Sequence, residues 1–380
     1  MSVTTPCYCS RVDAQRAIDF KDSLVTTAQA DRAIQSAARN IEGHLHRLFY
    51  PWDGTKWFDW PNYQYAYPWR LWLDRHDILC LTAFSSGSVN IPLNTCFFRP
   101  QTPKPGFPFT WIELDRSTSS VFGGNSATPQ NAIQVTGTWN FTAEADQAGT
   151  ATLAASITSS TNPVTVTDSS QASAGDLLII GYGRGTAPYP SDTLGHAGLI
   201  APYIGERVLV NDVAMADTST AQSGSGCSTA SNSDNALQWT GAGNPVAAGE
   251  VIQLDSEQML VQSVTNSVAT VTRAWNGTVL ATHSSAEIYA NRSLLVTRGY
   301  AGTAAAAASS GTAVYKHRVP PLVRDLAIAE AVNQVLQETS GYSRTVGAGE
   351  MAMPASGIAL ADLWDEAETE YGRKARVRVI

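Results

Sequence analysis

The chain has 380 residues, a net charge of −8, 43% hydrophobic residues and only 15% charged ones. That balance excludes a disordered polyelectrolyte and a basic nucleic-acid-coating protein, and at about 100–200 residues per domain the length predicts two or three domains with cores of their own. Five cysteines, an odd number without repeated spacing, exclude a closed disulfide framework and predict a reducing, cytoplasmic setting.

The first residues lack the basic and apolar segments of a signal peptide, and no run of about 18 apolar residues follows, so neither a leader nor a membrane span is expected. Val12, Ala14, Ala17, Ile18 and Leu24 predict a short helix. Ile34, Ala38, Ile41, Leu45 and Leu48, spaced by three and four, predict a longer one, with Thr26 and Gln29 as a capping box and Pro51 as the stop. Trp52, Trp57, Trp60, Trp69 and Trp72 then crowd one segment, interleaved with Tyr63, Tyr65 and Tyr67. Such density suits rings packed into a small β-domain against the helix or a neighbouring subunit. A sugar-binding platform is the sharper alternative, and the scarcity of basic residues argues against nucleic-acid stacking. Short strands are predicted at 77–84, 97–98, 110–114 and 133–141.

From residue 142 to about 312, Ser, Thr, Ala and Gly dominate and helical periodicity disappears, which predicts an all-β insert. It contains internal repeats. Val271-Thr-Arg-Ala-Trp-Asn-Gly-Thr278 is echoed by Val296-Thr-Arg-Gly-Tyr-Ala-Gly-Thr303. Ala174-Gly-Asp-Leu177 with Glu206-Arg-Val-Leu-Val210 is matched by Ala248-Gly-Glu-Val251 with Glu257-Gln-Met-Leu-Val261. Both front halves precede both back halves, as they would if one small β-module were inserted into a loop of another. Helix returns at Pro320-Pro321, with Leu322, Leu326, Ala329, Val332 and Leu336 as the predicted inner face and Gly341 as the end. Leu360, Leu363, Trp364, Ala367 and Tyr371 predict a final amphipathic helix, acidic on its other side, before a basic tail of Arg373, Lys374, Arg376 and Arg378.

No phosphate-binding glycine loop and no dinucleotide fingerprint are present, and no cofactor is expected. His44 and His46 fall on different helix faces without further ligands, Cys7-x-Cys9 lacks a second pair, and no metal site is expected. Asp255 and Glu257 are paired carboxylates of a kind that glycosidases use, but on one strand face they are expected to be solvated. No nucleophile elbow occurs, so no catalytic residue is assigned and the chain is not expected to be an enzyme.

Three groups of residues together carry a resemblance. The first comprises Trp57-Phe-Asp-Trp-Pro61, Arg70-Leu-Trp-Leu-Asp74 and Ile112-Glu-Leu-Asp115 behind the N-terminal helix. The second is Ile133-Gln-Val-Thr-Gly-Thr-Trp-Asn140, with Asn140 where glycine is usual, and the third is 249–261 with 271–278 and His283. In this order they resemble the head-to-tail connector, or adaptor, proteins of long-tailed bacteriophages. The architecture expected is α+β: a helical connector core of N- and C-terminal helices with short strands, carrying a large inserted all-β domain of nested repeats. The expected division is 1–141 and 319–380 for the core and 142–318 for the insert.

The resemblance implies a structural virion protein in the neck, assembled in the host cytoplasm. It would form a ring, usually of twelve, docked on the portal protein and joined to stopper or tail-completion proteins. The ring would line the exit channel, and an acidic lumen would let genomic DNA pass without sequence-specific binding. The resemblance also assigns portal contact to the C-terminal segment, with Leu360, Leu363, Trp364, Tyr371, Arg373, Lys374, Arg376 and Arg378 as candidates. Deleting 372–380 is expected to abolish docking and leave the fold intact, and the insert is expected to project outside the ring. Trp52, Trp57, Trp60, Trp69 and Trp72 are the subunit-interface candidates. The competing readings are a carbohydrate-binding tail-tip or receptor-binding protein, which predicts exposed aromatic platforms, and a glycoside hydrolase.

Overall fold

The computed structural model describes residues 3–18, 27–61, 67–101, 107–123, 128–187, 195–223, 226–240, 244–339, 345–346, 353–354 and 358–373. Helices α1 (Arg11–Ile18), α2 (Thr27–Leu45), α3 (Pro321–Thr339) and α4 (Ile358–Tyr371) pack around one core. Along α2, Ala30, Ala33, Ile34, Ala37, Ala38, Ile41 and Leu45 recur on one face and are all buried. Leu48 lies beyond the helix and is 36% exposed, and Leu24 and Thr26 lie outside the described residues. Arg11 ties α1 to α2 through the buried Asp31 at 2.7 Å.

The inner face of α3 is turned from the one expected. Val323, Leu326, Ala327, Ala331 and Val335 are buried, whereas Leu336 is 47% exposed. Small and β-branched residues occur on both sides of this helix, so its periodicity leaves the face open. Its seat against the alanine-rich side of α2 decides it.

The next stretch forms β1 (Trp52–Phe58), β2 (Arg70–Trp72), β3 (Ile78–Ser86), β4 (Val89–Asn90), β5 (Cys96–Arg99), β6 (Trp111–Leu114) and β7 (Ile133–Trp139). One sheet runs β1-β7-β3-β4 and a second β2-β6-β5, with antiparallel pairing throughout. Alternate residues of both sheets enclose a core of Phe58, Trp60, Leu71, Ile78, Leu81, Phe84, Ile112, Ile133 and Trp139. In the central strand β7, a Cβ on Gly137 would stand 2.1 Å from the Cys80 carbonyl oxygen, so only glycine lets β3 come this close. The Trp139 indole N–H donates to the Gly54 carbonyl at 2.8 Å. Asn140 takes φ +81°, the left-handed backbone a glycine would supply, and its Nδ2 donates to the Tyr50 carbonyl at 2.9 Å.

The remaining large sheet comprises β8 (Ala145–Thr152), β9 (Val164–Thr165), β10 (Leu177–Arg184), β11 (Tyr203–Ala221), β12 (Ala236–Gln238), β13 (Val251–Leu254), β14 (Glu257–Thr265), β15 (Val268–Thr272), β16 (Glu287–Thr297) and β17 (Ala313–His317). Its order is β12-β15-β14-β13-β16-β11-β10-β17-β8, with β9 beside β16. A two-stranded pair, β18 (Thr345–Val346) and β19 (Met353–Pro354), lies between α3 and α4 in sequence. Three buried clusters serve the large sheet among the described residues: Leu178, Val208, Val210, Val296 and Val314 fill one, Leu237, Ile252, Met259, Val271 and Ile288 another, and Val251, Leu260 and Trp275 a smaller third.

The repeats are repeats of one buried clamp. Glu206 accepts from Arg298 Nε and Nη2 at 2.6 and 2.7 Å, and from the N–H groups of Gly299 and Ala306 at 3.0 and 3.1 Å. Glu257 accepts from Arg273 Nε and Nη2 at 2.7 Å each, and from the N–H groups of Ala274 and Ala281 at 3.0 Å each. The closing threonines correspond too: Thr303 accepts the N–H of Arg207 and Thr278 that of Gln258, both at 3.0 Å. Upstream, Gly175 and Gly249 adopt φ +95° and +97° and donate to the carbonyls of Val210 and Val261. In sequence, β12 to β15 fall between β11 and β16, so the second copy lies within the first.

The expected helical connector core with a β insertion is not what forms. Strand makes up 36% of the described residues and helix 21%, and large antiparallel sheets provide the frame. The physical reason lies in residues 52–139, whose apolar and aromatic side chains close a core of their own rather than serving as a covering for helices. Helical periodicity locates the four helices but says nothing of their share in the whole.

Candidate functional site

Period-two alternation in β2, β5 and β6 sends Leu71, Ile112, Leu114, Cys96 and Phe98 inward and leaves Arg70, Trp72, Trp111, Glu113, Phe97 and Arg99 half-buried on the opposite face. On this outer face Trp72 and Trp111 lie 4.3 Å apart, and the Arg70 guanidinium stands over Tyr67, Trp72 and Trp111 at 4.9, 5.8 and 5.7 Å. Arg116 covers Trp69 at 4.5 Å. Glu113 accepts from Arg70 Nε and Arg99 Nε at 2.9 Å each and from Trp111 Nε1 at 3.1 Å. Against partial desolvation, which would raise it, the Trp111 N–H and the two guanidinium groups hold this carboxyl below the ordinary glutamate value. The result is a rigid patch of aromatic rings and guanidinium groups in which two cations share one carboxylate.

The five interface candidates are not equivalent. Trp57 is 51% exposed, Trp52 and Trp69 are partly covered by the aromatic core, Trp72 belongs to the outer patch, and Trp60 is buried against Phe122. A buried Trp60 is a packing residue with no free surface for a neighbour. Arg99, Trp111 and Arg116 carry no signal in the sequence reading, and Arg70 and Glu113 enter it only as members of the resemblance stretches, although Arg70-x-Trp72 and Trp111-x-Glu113 carry the alternation that puts them on one face.

The portal-contact candidates sit at the other end of the chain. Leu360, Leu363, Trp364 and Tyr371 pack on the helical core. Trp364 meets His44 edge-on at 4.7 Å, and Tyr371 lies among Phe49, Phe107 and Phe141 at 5.7, 6.0 and 5.4 Å. Arg373 donates to the His46 carbonyl at 2.9 Å and to the buried Asp77 carboxylate at 2.6 Å. Burial raises the Asp77 pKa, and Arg47 and Arg373 oppose that rise. Arg373 is thus an anchor of the fold, and a truncation that leaves the fold intact must begin after it. Lys374, Arg376 and Arg378 lie outside the described residues.

A cleft of about 300 Å³ opens between the N-terminal segment, β17 and the start of α3, lined by Cys7, Tyr8, Asp13, Asp176, Lys316 and Arg324 among others. Lys316 is paired with Asp176 at 2.9 Å, Arg324 with Asp13 at 2.8 Å, and Arg318 with Asp146. Burial raises the thiol pKa of both Cys7 and Cys9, which keeps them protonated and unreactive. The cleft therefore holds matched charges and no activated nucleophile.

The expectation that Asp255 and Glu257 are solvated fails for Glu257, whose side chain is 0% exposed. Besides its clamp, Glu257 Oε2 meets His283 Nε2 at 2.9 Å, while His283 Nδ1 meets Asp255 Oδ2 at 2.8 Å. The carboxyl is held down at about 2 against desolvation, which would raise it, by Arg273, the Ala281 N–H, His283 and the Ala274 N–H. A carboxylate so fully occupied stays ionised near neutrality and has no proton to donate. Among the described residues there is no cluster of three or more His, Cys, Asp or Glu able to hold a metal ion, and no helix is long and apolar enough to cross a membrane. No family model matches the chain, nor does any curated protein or solved structure.

Proposed function

We propose that this chain is a structural virion protein, a head-to-tail adaptor that forms a ring on the portal of a long-tailed bacteriophage and joins it to stopper or tail-completion proteins. What carries the reading is the meeting of separate stretches of the resemblance in one core. Phe58 and Trp60, Leu71 and Leu73, Ile112 and Leu114, and Ile133, Val135 and Trp139 interdigitate across two small sheets. The motif residues are therefore framework: Gly137 admits the neighbouring strand, Trp139 anchors β1, and Asn140 keeps the left-handed turn. The matched charges of the cleft and the occupied Glu257 support a structural role over hydrolysis. The sugar-binding alternative draws less support, because Arg70 and Arg116 lie over the rings that a pyranose would stack on.

In this reading the tail beyond Arg373 reaches the portal from a fixed origin beside His46 and Asp77. The test is electron microscopy of neck particles with and without the protein, together with portal binding by a chain ending at Arg373. Density directly below the portal, and binding lost with the tail, are expected. Density at the tail tip, or portal binding unchanged by the truncation, would refute the respective parts.

A further inference from the structure

We infer that the aromatic and arginine face of the β2-β6-β5 sheet is the docking surface for the acidic stripe of α4 on a second copy of this chain. The composition of the face suits a protein interface. Tyr67 is 49% exposed beside half-buried Trp69, Trp72 and Trp111, and tyrosine, tryptophan and arginine are the side chains that dominate binding hot spots. Their rings are already ordered by Arg70 and Glu113, so little side-chain freedom is lost on contact.

Charge selects the occupant. Arg70 and Arg99 share Glu113, and Arg116 meets no carboxylate among the described residues, so the face is positive on a chain whose net charge is −8. On α4, Asp362, Asp365 and Glu366 are exposed at positions i, i+3 and i+4 and make no ion pair among the described residues. They repel one another, and Asp365, Glu366 and Glu368 crowd the half of the helix whose dipole already carries negative charge. The two patches thus carry opposite charge, and joining them gives Arg116 a carboxylate partner and relieves the repulsion along α4. Trp364 and Leu363 hold the other side of the helix on its own core, which leaves the acidic stripe facing outward.

The two patches are different surfaces, so the contact is heterologous: each copy offers its helix to one neighbour and its sheet to the other. Closure of such a chain of contacts into a ring rests on the adaptor reading above; the contact itself does not.

Two variants at exposed positions separate the surfaces: Tyr67→Ala with Arg116→Glu on the sheet, and Asp365→Lys with Glu366→Lys on the helix. Native mass spectrometry and sedimentation at low salt give the oligomeric state, and circular dichroism checks that each variant is folded. The wild-type chain is expected to assemble, more weakly as salt is added. Each variant alone should associate at least about tenfold more weakly. Mixed, each variant retains the surface the other lacks, so the pair should form one-to-one dimers that grow no further. A wild-type assembly that both variants retain would overturn this interface while leaving the ring standing. A wild-type chain that stays monomeric at about 100 μM in low salt would also overturn it, and the ring would then be judged by imaging of the neck alone. Should a variant prove misfolded, the salt dependence of the wild-type assembly decides: insensitivity to salt refutes a contact built on charge.

Discussion

Replacing Glu257 by alanine tests how the second repeat copy is held together. The substitution leaves the Arg273 guanidinium buried without its carboxylate, and frees the N–H groups of Ala274 and Ala281 and the Nε2 of His283. Breaking a fully buried ion pair in this way costs about 3–5 kcal/mol. Proton linkage supplies a second magnitude. The Glu257 carboxyl is held at about 2 in the fold, against 4.5 for the free side chain. A depressed carboxyl contributes stability that is complete above the unfolded value and is lost as pH falls through the folded one. The shift corresponds to about 3 kcal/mol, lost between roughly pH 4.5 and 2. Glu206→Ala removes the equivalent clamp without a histidine, so its cost should be the smaller of the two. Urea unfolding monitored by tryptophan fluorescence at pH 7, followed by hydrogen exchange to localise the loss, measures both. A Glu257→Ala protein within about 1 kcal/mol of wild type, or one whose lost protection lies outside residues 222–290, would refute the account.

Three further outcomes follow from the geometry. Gly137→Ala should destabilise the β1-β7-β3-β4 sheet by about 2 kcal/mol or more, because its methyl group meets the Cys80 carbonyl; thermal melts measure it. Asn140→Gly keeps the backbone but loses the bond to the Tyr50 carbonyl and should cost about 1 kcal/mol, whereas Asn140→Val should cost about 1–2 kcal/mol more by forcing a β-branched residue to φ +81°, read from the same melts. His76 is depressed to about 4 by burial, with Lys56 and Arg373 adding to the effect, so the unfolded chain takes up this proton first. Its contribution to stability should be greatest above pH 6.5 and fall towards pH 4, and a His76→Gln protein should show a shallower fall in equilibrium unfolding across that range.

Much of the local structure was legible in the residues. Period and spacing located α2, the start of α3 at Pro321, and the strands around 78–84, 97–98, 111–114 and 133–139. The repeats were legible because each clamp needs the same residues at the same spacing: an arginine, a backbone N–H beside it, and a threonine to close the turn. What escaped was which side each feature faces. Glu257 reads as a solvated strand carboxylate until Arg273 and His283 arrive from elsewhere in the chain. Five tryptophans look alike in sequence, yet Trp57 is exposed on β1 while Trp60, beyond the end of that strand, is buried against Phe122. The balance of the fold escaped for a related reason, since a local pattern names an element without saying which core it will join.

The nesting of the second repeat copy inside the first bears on how the chain reaches its fold. In the large sheet β10 pairs with β17 and β11, and β11 with β16, yet β11 and β16 are parted in sequence by everything from β12 to β15. Contacts of the inner copy span short separations, whereas those of the outer copy cannot form without closing a long loop. Once the inner copy has condensed, that loop is effectively short, and the ends of β11 and β16 are delivered side by side. The inner copy therefore acts as a splint for the outer one, and damage to its clamp at Glu257 should slow completion of β10 and β17, with which no strand of the inner copy is paired.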